Sequence, residues 1–256
     1  MNRAIVFAKR NLIEMSRDTL SYIFCAAFPI VMLVIMSLVN ESIPKQANMT
    51  IFRIDNLAGG IAIFGQTFVM LFTAIGVARD RNGSFLVRLY ASPMKGRDFA
   101  VGYILPMLAV AIIQVVLAFG ASVIVSLVTG DELKILGLIA ATAAVLPSAM
   151  MFTAIGFLFG TLFNEKSAPG MCSVLISIGS FVGGIWFDVD GTGGVIADIS
   201  RWTPFYYATK VARSAIHLEF TAENFLWPMA VVIICAGLIT ALACMAFSGK
   251  MRADLA

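Results

Sequence analysis

The residues able to do chemistry are few, and their spacing does not suit catalysis. His217 is the only histidine, which excludes a multi-histidine metal site, a histidine relay within one chain and an H-E-x-x-H motif. Cys25, Cys172, Cys235 and Cys244 each lie inside a charge-free segment, without C-x-x-C spacing. They read as small apolar packing residues, not as disulfides or zinc ligands. Neither a G-x-x-x-x-G-K-[ST] phosphate loop nor a G-x-S-x-G elbow occurs, so the sequence offers no recognisable ATP site and no activated serine. Asp188-x-Asp190-Gly191 is similar to the start of a calcium loop, but the twelfth position is Ile199 where glutamate is required, and a plain turn is expected. The expectation is a chain that is not an enzyme and carries no metal.

Charge gathers instead in one run, Arg79 to Asp98. It holds five basic residues (Arg79, Arg81, Arg88, Lys95, Arg97) and the acids Asp80 and Asp98, together with the apolar set Phe85, Leu86, Leu89 and Tyr90. A purely solvated loop has no use for that apolar set. The pattern predicts a short amphipathic helix offered to a partner protein, with Phe85, Leu86 and Leu89 as its contact face. Gly83 and Pro93 mark its ends, and Arg81 and Arg88 are its charged partners.

The elements that hold this run belong to a membrane. Of 256 residues, 60% are hydrophobic and 13% charged, with a mean hydropathy of +0.92; soluble domains are nearer a quarter charged. Gaps between charges leave six apolar segments, 19–40, 56–78, 99–130, 135–164, 167–187 and 224–249, each near or above the ~20 residues that cross a bilayer core. The first is too long for a signal-peptide core and lacks a following A-x-A site, so a retained span is expected. Before it, residues 1–18 read as an interfacial amphipathic helix, with Ile5, Ala8, Leu12 and Met15 on one face and Arg3, Arg10, Glu14 and Arg17 on the other. Twelve Lys and Arg residues fall in the termini, the 79–98 run and Lys166, against six on the opposite side. The positive-inside rule then makes both termini and the charged run cytoplasmic.

Inside the spans, Gly156-x-x-x-Gly160 and Gly179-x-x-x-Gly183 allow close helix approach, and Pro29, Pro106 and Pro147 predict kinks. Gln66 and Gln114 are the most polar residues deep in spans. Either they line a substrate path or they bond to a neighbouring helix. No span carries an ionisable residue, which argues against a proton- or sodium-coupled carrier. Between the fifth and sixth spans, Ile196–Trp202 and Pro204–Leu218 read as two short outer helices, re-entrant or interfacial, broken at Thr203-Pro204 and ringed by aromatic residues. The fold expected is an all-α integral membrane protein: one transmembrane domain over 1–256 with six transmembrane helices, the interfacial helix, the cytoplasmic element and outer helices at about 195–218.

Three stretches carry a resemblance. They are Arg79-Asp80-Arg81-Asn82-Gly83-Ser84-Phe85 with Arg88-Leu89-Tyr90-Ala91-Ser92-Pro93; Phe163-Asn164-Glu165-Lys166 followed by Phe181-Val182-Gly183-Gly184-Ile185-Trp186-Phe187; and Trp202-Thr203-Pro204-Phe205-Tyr206-Tyr207-Ala208 with Arg213 beyond. In that order they resemble the ABC transporter type 2 permeases, membrane subunits of bacterial drug, antibiotic and polysaccharide exporters. Thr203 stands where the family usually has Asn, and Arg81 where it often has an acid. The resemblance implies a dimer with a second permease copy or paralogue, and a cytoplasmic ATP-binding cassette subunit docked on Gly83 to Pro93. ATP and Mg then sit on that subunit, with no cofactor on this chain. It further implies a bacterial plasma membrane location. Export of an amphiphilic or hydrophobic substrate by alternating access is the function expected. An ion- or proton-coupled carrier or channel, or a non-transporting membrane immunity or scaffold protein, remain the alternatives. Lipid is an expected partner and nucleic acid is not.

Overall fold

The computed structural model describes residues 3–19, 23–44, 50–83, 94 and 96–253. Every regular element among them is helical. The interfacial helix α1 (Arg3–Met15) is followed by a π turn (Ile23–Ala27) that runs into α2 (Phe28–Ser42), and then by α3 (Ile54–Asn82) and α4 (Gly96–Thr129). Next come α5 (Ile135–Ala144), α6 (Leu146–Leu162) and α7 (Ala168–Val182). The outer helices are α8 (Val189–Thr192), α9 (Gly194–Arg201) and α10 (Pro204–His217), and a second π turn (Ala222–Leu226) leads into α11 (Trp227–Ala253).

Four of these are long and apolar enough to cross a membrane: the π turn with α2, α3, α4, and the second π turn with α11. A fifth is the pair α5 and α6, bent by 41°. Several helices of this length and composition make the chain a multi-pass membrane protein. The apolar segment 167–187 forms α7, whose 15 residues reach only about 22 Å at 1.5 Å per residue, short of a ~30 Å core.

Proline places the bend in the fifth. Pro147 sits at the start of α6, and Val145 before it leaves helical geometry at φ −87°, ψ 1°. A proline ring clashes with the preceding turn and removes one helical N–H, so the long segment breaks there. Gly130, in the left-handed region at φ 77°, ends α4.

α3 is the centre of the bundle. It is buried along nearly its whole length, packing most extensively on α6 and also on α4, α10, α7 and α2. Glycine makes the α3–α6 contact close. A Cβ on Gly156 would lie 2.3 Å from the Met70 carbonyl, and one on Gly160 2.6 Å from that of Ala74, so the spacing noted in the sequence brings two backbones together. Gly179 and Gly183 of the second such spacing lie instead under Phe205.

Candidate functional site: the two ends of α3

The C-terminal end of α3, the inner end on the positive-inside expectation, carries the root of the charged run, Arg79 to Gly83. Asp80 Oδ2 accepts from Arg10 of α1 at 2.9 Å and from the Tyr103 hydroxyl of α4 at 2.7 Å. Arg10 also pairs with Glu14 one turn along at 2.6 Å. One carboxylate thus ties three helices. Arg81 turns the other way, its guanidinium donating to the Gly160 carbonyl at 3.2 Å and to that of Thr161. Those oxygens belong to the last turn of α6, where carbonyls lack intrahelical partners and the helix dipole favours a cation. Gly83 is exposed. Phe85, Leu86, Arg88, Leu89 and Pro93 lie outside the described residues.

α1 docks on α4 through a defect that Pro106 creates. A proline cannot donate to the carbonyl four residues earlier, here Gly102. Asn11 Nδ2 supplies the missing bond at 2.9 Å. Gly102 also leaves room for Phe7, whose ring carbon would be 2.1 Å from a Cβ there, and Phe7 packs edge-on against Phe99 and Tyr103. The buried face of α1 is therefore Ala4, Phe7, Ala8 and Asn11. Of the apolar stripe expected to lie along the headgroups, Ala8 is buried against the bundle, while Ile5 and Leu12 are 54% and 42% exposed. The docking contact is set by Gly102 and Pro106 rather than by apolar content.

The outer end of α3 is gripped by α10. Arg213 donates from Nε to the Asn56 carbonyl at 3.1 Å and from a terminal nitrogen to that of Ile185 at 3.4 Å. His217, one turn on, meets the Asn56 side chain at 3.1 Å. Burial pushes the Arg213 guanidinium down to about 10, partly offset by the charges of Asp188, Asp190 and Tyr206. Tyr206 donates to the Asp190 carboxylate at 2.8 Å, and Arg201 approaches the same carboxylate at 3.5 Å. Burial, followed by the Asp190 hydrogen bond, raises the Tyr206 phenol above its ordinary value. Around these groups lies a polar cavity of about 190 Å³. α9 runs Gly194–Arg201 and α10 Pro204–His217, against Ile196–Trp202 and Pro204–Leu218 in the sequence reading, with a break at Thr203-Pro204.

Between the two ends, the paired glutamines separate. Gln66 is fully buried, donates to the Val145 carbonyl at 3.2 Å and accepts from the Ser148 hydroxyl at 2.8 Å, so it fastens α3 to the break between α5 and α6. Gln114 is equally buried on α4, yet both its amide atoms lack a hydrogen-bond partner. Its side chain lies against Gly65, where a Cβ would meet the amide nitrogen at 1.9 Å. Among the described residues no cluster of three His, Cys, Asp or Glu could hold a metal. Asn11 and Tyr103 escaped the sequence reading, and Arg10 was read only as part of a polar face; the signal that could have found Asn11 is Pro106, which announces a free carbonyl one turn back.

A short N-terminal helix clamped to the root of the charged run, a bundle of long apolar helices and short helices before the last one are the parts expected of a membrane transport component. No curated protein matches the chain. The family model described as ABC-2 type transporter matches residues 3–217. The chain belongs to the ABC-2 type transporter family, the membrane permease components of ABC transporters, which are normally paired with an ATP-binding subunit.

Proposed function

We propose that this chain is the permease subunit of an ATP-driven exporter in a bacterial plasma membrane. Two copies, or this chain and a paralogue, form the path, and both termini and the 79–98 run face the cytoplasm. The chain crosses six times, with the turn 183–187 completing the crossing begun by the short α7. A separate subunit binds ATP and Mg and docks on the segment from Gly83 to Pro93. The absence of a phosphate loop and of ionisable groups in the spans favours an external source of energy. The predominantly apolar spans favour an amphiphilic or hydrophobic cargo.

One observation carries this reading: the root of the docking segment is tied through Asp80 to α1 and α4, and through Arg81 to α6. A push on the segment is therefore delivered to four helices at once. Arg81 belongs to that transmission rather than to the contact face, and Gly83 is the point at which the segment leaves the bundle. Gln114, whose amide is unmatched in this state, is the stronger of the two glutamines as a path residue once the helices separate.

The reading is tested by deleting Gly83 to Pro93 and measuring co-purification of the ATP-binding subunit. Loss of association with the membrane protein still folded is the expected result. Unchanged association would show that the subunit docks elsewhere.

A further inference from the structure

We infer that the groove between α1, α4 and α6 holds one acyl chain of an anionic phospholipid, with the lipid phosphate on Lys9. The groove encloses about 570 Å³. Its walls are helical stripes: Ile5 and Leu12 on α1, Leu105 and Ile112 on α4, and Leu146 and Met150 on α6. Five of these six are at least 40% exposed, so they are covered by something other than this chain. Leu146 adjoins the break in the middle of the α5–α6 pair. The groove therefore runs from the interfacial helix down to mid-span depth, the course an acyl chain takes from its headgroup.

The charge at the mouth selects the headgroup. Lys9 is the only charged residue lining the groove, and it makes no ion pair or hydrogen bond among the described residues. Its neighbour Arg10 is engaged by Glu14 and Asp80. An unpaired ammonium above an apolar channel, at the level where α1 lies along the membrane, complements a phosphodiester whose tail fills the channel. An anionic lipid adds net charge to that attraction and a zwitterionic one does not. Because Arg10 follows directly and holds Asp80, a lipid seated here braces the helix that grips the docking segment.

This inference rests on the placement of α1 at the cytoplasmic leaflet, but its test needs no ATP-binding subunit. The purified chain is delipidated in detergent and titrated with phosphatidylglycerol or phosphatidylcholine, and bound lipid is counted by native mass spectrometry. The expected result is one phosphatidylglycerol per chain, preferred over phosphatidylcholine by about fivefold, the equivalent of one lysine at a membrane surface. Lys9→Gln, an exposed change that leaves the fold intact, removes the preference. Ala109→Trp, which fills the groove, abolishes retention of either lipid. Equal retention of the two lipids by the unmodified chain overturns the inference, as does an undiminished preference in Lys9→Gln.

Discussion

The two ends of α3 are held by opposite chemistry. At the inner end a single acid collects donors: Asp80 accepts from Arg10 and Tyr103, on two different helices. At the outer end a single base distributes them: Arg213 donates to the backbone carbonyls of Asn56 and Ile185. A carboxylate–guanidinium pair exchanges partners readily, because water and other ions compete for both groups. A half-buried guanidinium bonded to two main-chain oxygens exchanges less readily, because releasing it breaks two charge-assisted bonds at once. The inner grip is thus suited to being worked by a partner, and the outer grip to carrying the motion onward. Between them α3 runs 29 residues, about 43 Å of continuous helix at 1.5 Å per residue.

The contrast breaks most visibly at Arg213. Arg213→Ala removes two charge-assisted bonds, one of them to the loop carbonyl of Ile185, for an expected loss of about 2–3 kcal/mol, read as a lower unfolding midpoint in detergent. A midpoint like that of the unmodified protein would mean that the outer strap contributes little. At the inner end Asp80→Asn keeps an acceptor for Tyr103 and removes the charge facing Arg10, a part-exposed pair. The loss expected is about 1 kcal/mol, and the more telling readout is faster hydrogen exchange in α1. If exchange in α1 stays slow, the docking of Phe7 and Asn11 alone holds that helix and the ion pair is incidental.

The middle of the bundle supplies the control. Gln66→Leu strips the Val145 carbonyl and the Ser148 hydroxyl of a partner and is expected to cost about 1–2 kcal/mol. Gln114→Leu removes an amide that has no partner and is expected to change stability by less than about 0.5 kcal/mol in either direction. A large loss at Gln114 would show that its amide is satisfied in the working protein.

The outer helices were readable because aromatic residues, charges and Thr203-Pro204 punctuate them at short range. The break in segment 135–164 was readable only as a kink at Pro147, since the way Gln66 meets Val145 depends on a residue 79 positions away. α7 shows the limit of counting apolar residues: 167–187 has the length of a span, but Gly183 and Gly184 end the helix after 15 residues. In α1 the hydrophobic stripe was legible and its partner was not. Membrane helices present apolar residues to lipid and to protein alike, so composition cannot tell the docked face from the free one. The glycine that admits Phe7 and the proline that frees a carbonyl for Asn11 lie on another helix. The same holds for the charged run. Its composition marked it as a handle, while the sharing of Asp80 and the turn of Arg81 toward α6 depend on elements distant in the chain.

The central claim is that α3 and its inner grip transmit the work of an ATP-binding subunit. Reconstituting the Asp80→Asn chain with that subunit, and measuring efflux of a hydrophobic fluorescent dye per ATP hydrolysed, tests it most directly. The account predicts that the subunit still associates and still hydrolyses ATP while efflux per ATP falls. Efflux per ATP equal to that of the unmodified complex would contradict it.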